Sequence, residues 1–91
     1  MTEIVLLTGS EADETPASIA GRNGYDAVDA DNTNISLLIA MLKEQVVESA
    51  YVRSWNGQSG DFVLRSTGAL GPYDAFTNNA YYAFGVEKSA G

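Results

Sequence analysis

The chain has 91 residues with 12 acidic and 5 basic side chains, a formal net charge of −7, and no histidine or cysteine. That length argues for one domain. The missing residue types remove disulfides, thiol nucleophiles, the usual zinc sites and every imidazole base, and the charge opposes binding to nucleic acid or anionic lipid.

Glu3-Ile4-Val5-Leu6-Leu7-Thr8 is a short apolar run ended by Gly9-Ser10. It reads as a buried strand or as a strand added to a neighbour's sheet. From Gly9 to Thr33 no period of 2 or 3.6 is sustained, and Pro16, Gly21 and Gly24 punctuate the stretch, which reads as a long irregular arm. Seven of the 12 acids fall in residues 1–31, against Arg22 as the lone base there. Ordering such an arm costs about 1–2 kcal/mol per residue in backbone entropy. Its sizeable apolar groups are Ile19, Tyr25 and Val28, so the arm is expected to be ordered by contact with another subunit.

Ile35, Leu38, Ile39, Leu42 and Val46 recur at intervals of three and four, which predicts an amphipathic helix over 35–49 with Thr33 or Asn34 as its cap. Beyond it, residues 51–56 and 61–66 are rich in β-branched and aromatic types around Asn56-Gly57-Gln58-Ser59-Gly60, the pattern of a β-hairpin. Residues 80–86 supply a last strand with Tyr82, Phe84 and Val86 on one face. The expected fold is α+β: one amphipathic helix on a small, mostly antiparallel sheet, with a long irregular N-terminal arm. Within a single domain, residues 1–33 form the strand and acidic arm, and residues 34–91 the compact body.

Asp29-x-Asp31-x-Thr33 copies the opening of a calcium loop, but the sixth position is Asn34 and the twelfth Ala40, where that loop needs Gly and a bidentate Glu. These side chains therefore read as turn and cap formers, and no metal or cofactor is expected. Glu11, Asp13 and Glu14 read as a solvated patch, not as a general acid and base, and Gly21-Arg22-Asn23-Gly24 as a turn, not a phosphate nest. No catalytic residue is assigned and no enzyme is expected. Tyr51, Arg53 and Trp55 fall on one strand face by alternation, suited either to stacking on a partner or to cross-strand packing. Tyr73 and Tyr81 add rigid aromatics of the kind that anchor interfaces. The candidate partner-binding residues are thus Ile19, Tyr25, Val28, Tyr51, Arg53, Trp55, Tyr73 and Tyr81.

Hydrophobic residues make up 45% of the chain, yet 12 of them are Ala. The core is therefore thin for a domain this small, and an oligomer or a large complex is expected to complete it. These features together point to a non-enzymatic assembly protein, such as a virion component of the capsid-decoration or cement type, that binds protein subunits, either itself or a larger lattice protein. The alternative is a small acidic inhibitor or nucleic-acid mimic that blocks a cationic groove. No direct nucleic-acid or membrane partner is expected: no run of 18 apolar residues occurs, and Met1-Thr2-Glu3 is acidic where a signal peptide would be basic. The expected location is a virion, or otherwise the cytoplasm.

Overall fold

The computed structural model describes residues 3–9, 15–72 and 81–88. Nine elements follow in chain order: β1 (Ile4–Gly9), α1 (Pro16–Arg22), β2 (Tyr25–Ala27), β3 (Asp29–Ala30), α2 (Ile35–Gln45), β4 (Ser49–Trp55), β5 (Gln58–Arg65), β6 (Leu70–Pro72) and β7 (Tyr81–Glu87). Strands take 49% of the described residues and helices 25%, so the sheet governs the architecture. Its order is β1-β7-β4-β5-β6, with β2 against β7 and β3 against β4.

The centre of the sheet is a fork. β7 and β4 run parallel and touch at Tyr51 and Ala83, then diverge. The segment 25–30 lines the opening: β2 runs inward antiparallel to β7, from Tyr25 opposite Glu87 to Ala27 opposite Gly85. At the vertex Val28 donates its N–H to the Phe84 carbonyl at 3.2 Å and accepts from the Arg53 N–H at 2.8 Å. β3 then runs outward, parallel to β4, with Asp29 opposite Ser54 and Ala30 opposite Trp55. Val28 therefore ties the two arms of the fork through its own peptide groups.

The two helices cover opposite faces, as neighbouring strand residues must point to opposite sides. On one face Leu38 and Leu42 of α2 pack with Val28, Ala30, Ala50, Val52, Leu64 and Phe84. On the other, Ile19 of α1 packs with Tyr51, Val63 and Ala83. The helix over 35–49, the hairpin and the last strand all form, but α2 stops at Gln45 because Val46 turns left-handed at φ 56° and ψ 48°. A β-branched residue in that region is strained, and Val46 is 91% exposed, so no packing compensates it. Asn34 stands at the N-cap without a side-chain cap bond, and the turn before it is closed by Asp31, whose Oδ1 accepts from the N–H groups of Thr33 and Asn34 at 2.9 Å each. Asn34 itself folds back, accepting from Asp31 N–H and donating to the Asp29 carbonyl.

The hairpin turn is tighter than the five polar residues suggest. Asn56 and Gly57 alone form it, with φ of 47° and 82° between the pair Trp55 and Gln58, which is the two-residue turn that Asn-Gly favours. The register then shifts between Val52 and Ser54, so that Gly60 and Asp61 both face Arg53. Gly60, at φ 139°, supplies the conformation this bulge requires.

One helix on a mostly antiparallel sheet with an irregular arm is therefore corrected to a mixed seven-stranded sheet, counted over the described residues, with a helix on each face. Residues 15–30 are ordered by the fold itself. Thr15 caps α1 reciprocally with Ser18, each side chain accepting from the other's N–H at 3.1 and 2.9 Å, and Pro16 fills the first helical position. Pro16, Ile19 and Ala20 bury one stripe of the helix. Two terms absent from the entropy estimate account for the order: small residues fill the core, with Ala20, Ala27 and Ala30 at 0–3% exposure, and the backbone of 25–30 hydrogen-bonds to both sides of the fork.

Candidate interaction surface

The residues nominated from sequence divide into interior and surface groups. Ile19 and Tyr51 are fully buried and Val28 nearly so, so these three build the core and cannot meet a partner directly. Tyr81 is half-buried beside Tyr51, the ring centroids 6.3 Å apart and the planes inclined by 33°. Tyr25 is half-buried at the rim of the fork. Tyr73 lies outside the described residues, as do Glu11, Asp13 and Glu14.

Tyr51, Arg53 and Trp55 do not share a surface. Tyr51 belongs to the α1-side cluster, whereas Trp55, beyond the register shift, packs against the α2-side cluster. Strict alternation from Tyr51 therefore does not reach Trp55 at the end of β4. Arg53 is exposed and clamps Asp29 with two parallel bonds, Nε to Oδ1 at 2.8 Å and Nη2 to Oδ2 at 3.2 Å. That hydrogen bond, with a further one to Ser54, holds the Asp29 carboxyl below its ordinary range despite some desolvation, and in return raises the Arg53 guanidinium. The Asp29-Asp31-Thr33 cluster is thus engaged in a turn and an ion pair. Among the described residues no three acidic, histidine or cysteine side chains gather as a metal site. Asp29, Arg53, Ser54, Gly57, Ser59 and Gly60 line an open polar recess of about 500 Å³, too shallow to exclude water from a reaction.

The second surface lies at the β1 edge of the sheet. A groove of about 440 Å³ runs between β1 and the last turns of α2, with Ile4, Leu6, Thr8, Met41, Val47 and Tyr82 among its lining and Glu44 and Gln45 at its rim. β1 is the terminal strand of the sheet order, and Ile4 to Leu7 are all half-exposed apolar residues. Partner-residue reasoning passed over these positions because it followed aromatic and arginine side chains. The signal was nevertheless present in the run Ile4-Val5-Leu6-Leu7, read above as a strand able to join a neighbour's sheet.

No helix among the described residues is long and apolar enough to cross a membrane. No curated protein and no solved structure matches the chain. Residues 3–90, however, match the family model described as the microsporidian spore wall protein EnP1 N-terminal domain. This corrects the expectation of a virion component of the decoration or cement type, and with it the virion or cytoplasmic location. The acidic inhibitor or nucleic-acid mimic finds no support in it either. The match runs through every element of the sheet and both helices, and the chain belongs to the family of the microsporidian spore wall protein EnP1 N-terminal domain.

Proposed function

We propose that this chain is a non-enzymatic structural component of a spore wall, acting through contact with protein subunits. The observation that carries the reading is the family match over residues 3–90. The chemistry of the chain supports it: there is no histidine or cysteine, and Asp29 and Arg53 satisfy each other's charge in an open recess. Both shifts favour the charged, paired forms of Asp29 and Arg53, so neither group is poised to exchange a proton near neutral pH, and the recess does not exclude water.

Immunogold electron microscopy of intact spores, using an antibody raised against the folded domain, tests the location. Gold confined to the wall is the expected result. Gold distributed through the spore interior, with the wall unlabelled, overturns the proposal.

A further inference from the structure

The backbone of β1 carries a pattern that pairs with itself. Phe84 accepts from Val28 through its carbonyl, so the Phe84 peptide groups point toward the fork and away from β1. N–H and C=O of one strand residue point to the same side, and the direction alternates along the strand. Leu6 opposite Phe84 is therefore a non-hydrogen-bonded pair, and the β1 residues bonded to β7 are Val5, Leu7 and Gly9, opposite Gly85, Ala83 and Tyr81. Ile4, Leu6 and Thr8 direct their N–H and C=O groups outward, to an edge that no strand among the described residues covers. Their positions are symmetric about Leu6.

We infer that β1 is the seam of a homodimer, in which the β1 strands of two copies pair antiparallel with Leu6 on the two-fold axis and join two sheets into one. In that register Leu6 faces the partner's Leu6 and Ile4 faces the partner's Thr8. All three outward residues of each copy then both donate and accept within the strand Ile4–Gly9, whereas a shift by two positions pairs only two of them within it. Opposed residues also keep the same face, so the α2 sides of both copies stay together.

Charge and surface character support a second copy as the occupant. Ile4–Gly9 contains no charged residue, and in this register Glu3 lies opposite the partner's Gly9, so no like charges oppose each other along the two strands. The strand also lacks the lysine, proline or bulge with which monomeric proteins blunt an exposed edge. Two six-residue strands alone bury less than the roughly 1,200 Å² of a specific interface. The groove flanking Ile4, Leu6 and Thr8, with Met41 and Val47 on its far wall, supplies apolar surface on the same side for the partner to cover. Isologous pairing of this kind is the commonest symmetry among soluble oligomers.

The inference rests on the reading of the chain as a component acting through protein contact, and supplies one such partner. It is tested on the purified chain, so its failure leaves the wall location untouched. Sedimentation equilibrium over roughly 1 μM to 1 mM should show a monomer–dimer equilibrium for the wild type. Thr8→Pro removes an outward N–H without touching the β7 ladder and should yield a monomer with unchanged far-UV circular dichroism. If the proline variant fails to fold, Thr8→Lys, on an exposed side chain, keeps the N–H but sets a charge against the partner's Ile4, and should weaken the dimer at least about tenfold. Amide exchange of Ile4, Leu6 and Thr8 should slow as the wild type is concentrated. A wild type that stays monomeric throughout, or a dimer that persists undiminished in a folded Thr8 variant, overturns the inference.

Discussion

Gly85 occupies a position with little room for a side chain. It sits in β7 with Val5 on one side and Ala27 on the other, and a Cβ there would lie 2.5 Å from the Leu7 Cδ1 and 3.1 Å from the Tyr25 Cβ. The Leu7 tip can swing aside, but the Tyr25 Cβ is fixed by the β2 backbone. Gly85→Ala is therefore expected to destabilise the domain by about 1–3 kcal/mol, the usual range for forced overpacking, as read from the shift in a urea unfolding curve. The Asp29–Arg53 pair belongs to the same scale and carries less energy. Its side chains are 55% and 49% exposed, so solvent screening limits the coupling in a double-mutant cycle of Asp29→Asn and Arg53→Ala to about 0.2–1 kcal/mol. The Asp29 carboxyl titrates lower in the folded chain than in the unfolded one, first because Arg53 hydrogen-bonds to it. Its contribution is thus fully present above the ordinary aspartate value of about 3.9 and is lost as pH falls through the lowered folded value. The cycle repeated at pH about 2, or in about 1 M salt, should return a coupling near zero.

At the scale of elements, α2 is anchored by Leu38 and Leu42, both at 0% exposure. Leu38→Ala and Leu42→Ala should each cost about 2–5 kcal/mol in equilibrium unfolding; losses below about 0.5 kcal/mol at both, the usual surface range, would falsify this packing. The same two leucines show what the sequence makes legible. Their spacing marks α2, as Asn56-Gly57 marks the hairpin and Tyr82, Phe84 and Val86 the inner face of β7, because each feature repeats within a segment long enough to display a period. α1 has 7 residues, β2 has 3 and β3 has 2, and none of them completes a pattern. They are set by distant partners instead: Ala27 by Gly85 and Ala30 by Trp55. The candidate surface was legible to the same degree. Ile4 to Leu7 announce a strand, but that Leu6 points its peptide outward depends on Val28 bonding to Phe84 across the sheet.

At the scale of the molecule, β7 is the strand on which the rest converges. β1 and β2 flank it on opposite sides, and β4 meets it at the vertex of the fork. A chain ending at position 80 should accordingly lose its cooperative thermal transition altogether, with no partly folded remnant, because β1 and β2 have no other strand to pair with among the described residues. This arrangement also imposes an order in time. The ribosome releases β1 first and β7 last, with nearly the whole domain between them, at about 5–20 residues per second. For some seconds during each round of synthesis Ile4-Val5-Leu6-Leu7 is an apolar strand with neither edge occupied, so β1 must be shielded until β7 has been made.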